Sequence, residues 1–172
     1  IGPVPPGEVP IAVGGRTYLV TRPQFQEMPI GVIYLYERDH ARLVAAFGKA
    51  DAFEPLKAPE VLTTFGAKPL TEHHFHWSDT NGNGVVDASE VQLSPGSGRY
   101  GVTNFDRELG AQFGSLRFQV REFLPSGVPV YSESPVGNLK DRDLYRLSDG
   151  SFYRDRKSTR LNSSHVSESR MP

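Results

Sequence analysis

The chain contains no cysteine, which excludes both disulfide bonds and a cysteine-ligated zinc site. The absence of cysteine does not identify a compartment, because many secreted proteins of bacterial type also lack it. No apolar run approaches the roughly 20 residues that a membrane-spanning helix requires, so we expect no membrane span. Lys and Arg number 19 against 20 Asp and Glu, and no basic stripe is present, which argues against a nucleic-acid partner.

Long helical patterns are also missing. No apolar repeat at i, i+3, i+4 and i+7 continues beyond two turns. Residues 49–72 are interrupted by Pro55, Pro59 and Pro69, which prevents a long helix there. Residues 1–14 are rich in proline and are interpreted as a linker or a loop between strands. The 17 glycines and 14 prolines of the chain are typical of short strands joined by tight turns.

Strand patterns are frequent in the first half of the chain. Residues 16–22 predict a short strand, and residues 31–48 predict a hairpin that turns at the polar quartet 38–41. The first strand of this hairpin has Val32, Tyr34 and Tyr36 on one face and Ile33 and Leu35 on the other. Because both faces are apolar, we expect this strand to be central in its sheet.

The second half of the chain continues the same pattern. Residues 115–123 alternate apolar and polar side chains with the period of two that a half-buried strand shows. A turn at residues 125–127 leads into another short strand, and Asp149-Gly150 predicts a further hairpin within residues 144–154. The sequence therefore predicts an all-β fold built from antiparallel hairpins that are local in sequence, as in a sandwich, a barrel or the blades of a propeller.

The end of the chain, DRKSTRLNSSHVSESRMP, has no apolar periodicity. It resembles the translated read-through of a ligated sequencing adapter. We therefore expect residues 155–172 to be a non-native, disordered tail, and residues 1–154 to hold the β-rich unit. Because the chain begins at Ile1 and not at methionine, we also expect it to be an internal piece of a longer protein.

One stretch, SDTNGNGVVDASEV, carries chemistry in its spacing. Counted from Asp79, it matches the calcium-loop pattern D-x-[DN]-x-[DN]-G-x₅-E at every fixed position. Calcium takes six to eight hard oxygen ligands, which alternate residues of a tight loop can turn inward, and Gly84 permits the sharp turn. Val86 would anchor the loop on an apolar surface. The predicted ligands of the calcium ion are Asp79, Asn81, Asn83, the backbone carbonyl of Val85, Asp87 and Glu90.

The flanks of the loop distinguish a sensor from a structural site. The preceding residues 70–77 predict a strand and not an incoming helix, and Pro95 allows at most two helical turns after the loop. A sensor needs an element with two alternative arrangements, which a single loop between such flanks does not supply. We therefore expect the calcium ion to stabilise structure.

The stretch FHWSDTNGNGVVDASEV resembles the EF-hand-like or dockerin-like calcium loops inserted into large secreted β-propeller proteins of bacterial type (NHL or YVTN type). The downstream GRYGVTNFDRELGAQF and FLPSGVPVYS are similar to the segment that follows in those proteins, and the resemblance spans roughly residues 18–153. It implies a partial β-propeller with one inserted calcium loop, in an extracellular or periplasmic protein.

The sequence offers weaker candidates for a transition-metal site and for a catalytic site. His74 and His76 share one face of the predicted strand, but two imidazoles need a third ligand to hold zinc, so packed or solvated histidines are favoured. No Gly-x-Ser-x-Gly motif is present, and the acid pair Asp141 and Asp143 is interpreted as solvated charge. We therefore predict no enzyme activity within these residues.

Together with the resemblance to secreted β-propeller proteins, the calcium loop leads us to expect a calcium-stabilised β-propeller used for binding or as a scaffold, with a polysaccharide or a protein as its partner. The alternative is a propeller segment of a secreted hydrolase or lyase that acts on polysaccharide, in which calcium is still structural and the catalytic residues lie elsewhere.

Overall fold

A computed structural model describes residues 8–21, 28–66, 68–96, 101–136, 144–146 and 152–154. The predicted tail, residues 155–172, lies outside the described residues. Within them the chain forms short 3₁₀ turns at Ala50–Ala52, Glu54–Lys57, Leu70–Glu72 and Ala88–Glu90. The helix and strands are α1 (Pro59–Phe65), β1 (Glu8–Val13), β2 (Arg16–Thr21), β3 (Ile30–Glu37), β4 (His40–Lys49), β5 (His73–Ser78), β6 (Val91–Pro95), β7 (Ala111–Phe113), β8 (Leu116–Phe123), β9 (Pro129–Pro135), β10 (Leu144–Arg146) and β11 (Phe152–Arg154).

The strands form antiparallel sheets in chain order. Strands β1 to β6 make one six-stranded sheet, β7 to β9 make a three-stranded sheet, and β10 pairs with β11. Each strand in these sheets pairs with its neighbour in sequence, and none of the described sheets closes on itself. The prediction of a mostly β fold built from local antiparallel hairpins is confirmed.

Several individual hairpins also lie where the sequence predicts them. Strands β3 and β4 turn at Arg38 and Asp39, and β3 is the third of six strands, so it is central as expected. Strand β9 follows β8 through the turn at residues 125–127. Strands β10 and β11 pair as predicted for the hairpin within residues 144–154, although its turn at Asp149-Gly150 lies outside the described residues.

The interpretation of residues 1–14 as a linker or loop is wrong for its second half. Residues Glu8–Val13 form β1, which pairs with β2 along its whole length. Pro10 lies within this strand, opposite Leu19. Strand β1 is an edge strand, and proline is tolerated there because it need not donate a hydrogen bond to a neighbour on the open side. The proline content of the segment concealed the strand.

The two larger sheets pack face to face around one apolar cluster, here called the inner cluster. It joins residues of the six-stranded sheet, such as Ile33 and Phe47, to residues of the three-stranded sheet and its loops, such as Phe118 and Tyr131. The rings of Phe47 and Phe118 stack with centroids 4.6 Å apart, and both side chains are wholly buried. Burial of this shared surface holds the two layers together.

The opposite face of the six-stranded sheet is covered by the chain between β4 and β5. Phe53, Leu56 and Val61 from this connection pack on Phe75 and Trp77 of β5 in what we call the outer cluster. Because both faces of the sheet are covered, β4 is buried at five consecutive positions, 44–48, instead of at alternate ones. The connection contains one short helix, α1, as its prolines predict.

Phe47 tests the dependence of the fold on the inner cluster. We expect Phe47→Ala to lower the free energy of unfolding by about 3–5 kcal/mol, because it leaves a cavity between the two sheets. Phe123→Ala is the matched control, since Phe123 is 39% exposed at the end of β8. Urea unfolding monitored by circular dichroism measures both losses. Equal losses for the two variants would contradict this account of the core.

Candidate metal centre

The predicted calcium loop is the connection of a β-hairpin. Strand β5 ends at Ser78, and β6 begins at Val91, directly after a 3₁₀ turn at Ala88–Glu90. The two strands pair up to the position where Trp77 faces Val91. The loop ends are therefore fixed by the sheet. As expected, the loop has a strand and not a helix before it.

Alternate side chains of the loop fold back on its own main chain. The Asn81 side-chain oxygen accepts a hydrogen bond from the N–H of Asn83 at 2.9 Å, and the Asn83 oxygen accepts one from the N–H of Val85 at 2.7 Å. The Asp79 Oδ1 atom accepts from the N–H of Gly84 at 3.2 Å. The two asparagine bonds are Asx-type turns, and together with the Asp79 bond they fix the direction of each oxygen.

Gly84 is required by its backbone conformation. Its φ is +72°, in the left-handed region that residues with a Cβ rarely adopt. A Cβ atom at this position would meet no other heavy atom within 4 Å. The sharp turn at Gly84 therefore depends on local backbone sterics, and no neighbouring element crowds it.

Asp87 and Glu90 are held by neutral donors. The side-chain amides of Asn81 and Asn83 donate to Asp87 Oδ2 at 2.7 and 2.8 Å. Glu90 Oε1 accepts from the main-chain N–H of Asn81 at 2.8 Å and from the hydroxyl of Thr80 at 2.7 Å. Each carboxylate therefore accepts charge-assisted hydrogen bonds from earlier residues of the loop, and these bonds connect its two ends.

Glu90 also connects the loop to the outer cluster. The indole N–H of Trp77 donates to Glu90 Oε2 at 3.2 Å, and Trp77 is wholly buried. Val86 packs against the same cluster, as its predicted role of apolar anchor requires, whereas the side chain of Val85 is exposed. The spacing of the loop indicates Val86, but it does not reveal the Trp77–Glu90 hydrogen bond, which depends on the pairing of β5 with β6.

Asp79 has a different environment from the other two acids. Its side chain has no exposed surface, and its Oδ2 atom accepts a hydrogen bond from Nη1 of Arg42 at 2.5 Å. Arg42 lies on β4, and its Nε atom is 3.7 Å from Glu37 Oε2. The antiparallel pairing that sets Ala45 opposite Ser78 brings Arg42 beside the loop. Sequence reasoning missed Arg42, because 37 residues separate it from Asp79.

The loop offers the donor types that a calcium ion needs. The predicted donor set consists of carboxylate, amide and carbonyl oxygens, which are the ligands that calcium prefers. Within the part of the chain that the structure describes, no three side chains of His, Cys, Asp or Glu are grouped so that they could hold a metal ion. The donor types fit calcium, while the three acids are each engaged by protein donors.

His74 and His76 of β5 face the inner cluster. Both rings contact Phe118, with edge-to-face centroid distances of 6.3 Å for His74 and 6.0 Å for His76. His74 Nε2 is 2.9 Å from Glu133 Oε2 and its Nδ1 is 2.9 Å from the carbonyl of Gly96, while His76 Nδ1 is 3.8 Å from the same carboxylate oxygen. As predicted, they share one face of the strand.

No protein-family model, curated protein or solved structure matches this chain. Among the helices of the described residues, none is long and apolar enough to cross a membrane.

The stability of the fold should depend on pH through His76. Burial lowers the pKa of His76 below 6.5, an effect that the Glu133 carboxylate opposes and His74 reinforces. The unfolded chain then takes up a proton near pH 6.5 that the folded chain resists. We therefore expect the free energy of unfolding to fall as the pH is lowered from 6.5 towards 5.

Two variants isolate the contribution of His76. His76→Gln should reduce this loss of stability, and His40→Gln should leave it unchanged, because the His40 side chain is 63% exposed. Chemical unfolding at several pH values measures the effect. Identical pH profiles for wild type and His76→Gln would refute it.

Proposed function

We propose that residues 79–90 bind one calcium ion, which stabilises a β-rich domain that is secreted and used for binding or as a scaffold. The observation that carries the proposal is the hairpin loop itself, in which five oxygen-bearing side chains occur at calcium-loop spacing, and Asp79, Asn81 and Asn83 accept hydrogen bonds from main-chain N–H groups within the loop. The ion would be held by the predicted ligands, Asp79, Asn81, Asn83, the Val85 carbonyl, Asp87 and Glu90.

A structural role is favoured over sensing. The loop joins two paired strands, and its last predicted ligand, Glu90, ends the 3₁₀ turn directly before β6. A sensor changes the angle between helices when calcium binds. No helix flanks the loop among the described residues, so the ion has no such element to move.

The charge of the site favours weak binding of the kind found outside cells. Three ligands are carboxylates and two are neutral amides. We expect a dissociation constant on the order of 10⁻⁵–10⁻³ M, at the weak, extracellular end of calcium loops. Calcium at one hundred times its dissociation constant would add about 2.7 kcal/mol to the free energy of unfolding. Calcium outside cells is about millimolar, so a site of this affinity would be filled there, which supports a secreted protein.

The β-propeller stays a prediction. A propeller blade has four strands, whereas the two larger sheets have six and three. Support for the proposed function therefore comes from the hairpin loop and its attachment to the sheet, and the binding partner is proposed as a polysaccharide or a protein.

Glu90→Gln tests the ligand assignment. We expect this variant to lose most of the calcium binding, because an amide cannot supply the two carboxylate oxygens that close the loop. Isothermal titration calorimetry with calcium chloride measures the change. Glu122→Gln is the matched control, since Glu122 is exposed on β8. Equal affinity in wild type and Glu90→Gln would refute the assignment, and submicromolar wild-type affinity would refute the structural role.

Trp77 gives an independent optical test. It is the only tryptophan of the chain, and its indole N–H is bonded to Glu90. Calcium binding at Glu90 should therefore change the tryptophan emission, and the change should be absent in Glu90→Gln. Unchanged emission in a wild-type protein that binds calcium by calorimetry would show that the ion does not engage Glu90.

A further inference from the structure

We propose that Arg42 is a built-in counter-cation of the loop, which neutralises Asp79 when calcium is absent and competes with calcium for that carboxylate. This inference rests on the proposed function. Arg42 would thus be the residue that sets the affinity of the site, although it lies outside the loop and contributes no oxygen to the ion.

The burial of Asp79 makes a counter-cation necessary. Its side chain is fully buried, and a buried carboxylate without a positive partner is strongly unfavourable. Asp87 and Glu90 are partly exposed, and among the described residues their hydrogen-bond donors are neutral groups. Asp79, at the first position of the loop, has an ion pair with Arg42.

The two oxygens of Asp79 face different partners. Oδ2 is bonded to Arg42 on β4, and Oδ1 is bonded to the N–H of Gly84 within the loop. The Arg42 side chain is 23% exposed, and its Nε atom also lies near the carboxylate of Glu37. Arg42 therefore holds one oxygen on the sheet side, while the other oxygen is directed towards the loop where the ion would bind.

A calcium ion on Asp79 would lie close to the guanidinium of Arg42. Two positive groups that share one buried carboxylate repel each other, and burial reduces the screening by water and salt. The coupling is reciprocal: if Arg42 weakens calcium binding, calcium weakens the Arg42–Asp79 ion pair by the same factor. This coupling would let the loop stay folded without calcium and would lower its affinity for the ion.

Arg42→Met is the informative variant, because methionine keeps an unbranched apolar chain and removes the charge. We expect it to bind calcium roughly tenfold more tightly than wild type, within the usual range of coupling between neighbouring sites. In a calcium chelator its melting temperature should fall, and calcium should raise that temperature by more than it does in wild type. Arg121→Met is the control, since Arg121 is exposed on β8 and should alter none of these values.

A double variant keeps the test valid if Arg42→Met folds poorly. In Arg42→Met/Asp79→Asn the buried charge is removed together with its partner, so the melting temperature in chelator should recover above that of Arg42→Met. No recovery would overturn the view that Arg42 neutralises Asp79. Circular dichroism establishes the fold of each variant before titration.

The outcomes separate this inference from the proposed function. If wild type binds calcium and Arg42→Met binds it equally or more weakly, the inference fails and the proposed function stands. If neither protein binds calcium, both fail. Calcium binding by Arg42→Met but not by wild type would support the inference, because it would show that the guanidinium alone excludes the ion.

Discussion

The position of β5 between β4 and β6 is the constraint on which the other features depend. Its alternation directs His74 and His76 to the inner cluster, and Phe75 and Trp77 to the outer cluster. Its pairing with β4 brings Arg42 to Asp79, and its pairing with β6 brings Glu90 under Trp77. One strand therefore orders both hydrophobic layers and both attachments of the loop.

Most of the strands could be predicted from the sequence, because their signals are local. The alternation in β8 predicts one buried face and the apolar pattern of β3 predicts two; Phe118 of β8 is buried, while β3 has one face buried and the other partly buried. Strand β1 was missed because proline normally argues against a strand, and only its position at the sheet edge makes Pro10 acceptable. Edge position is a property of the whole sheet, which no local pattern contains.

The candidate site divides in the same way. The ligand positions within residues 79–90 are set by spacing along one segment, and the Asx-type turns follow from that spacing. The residues that bind the carboxylates of Asp79 and Glu90 from the sheet do not follow from it. Arg42 and Trp77 reach the loop through strand pairing, and the choice of pairing partner depends on the long connection that folds over the outer face. A local motif can thus name donors, but it cannot describe their electrostatic environment.

The loop leaves the sheet beside Trp77 and returns beside Val91, which are paired positions. Hairpin connections tolerate changes of length because the closure cost rises only slowly with the number of residues. Strand β5 is also held in register by its pairing with β4, on the side away from the loop's return strand. The loop between β5 and β6 could therefore be gained or lost in evolution while the sheet is retained. Without the loop, Arg42 and Trp77 would remain in the sheet and would need new partners for the guanidinium and the indole N–H.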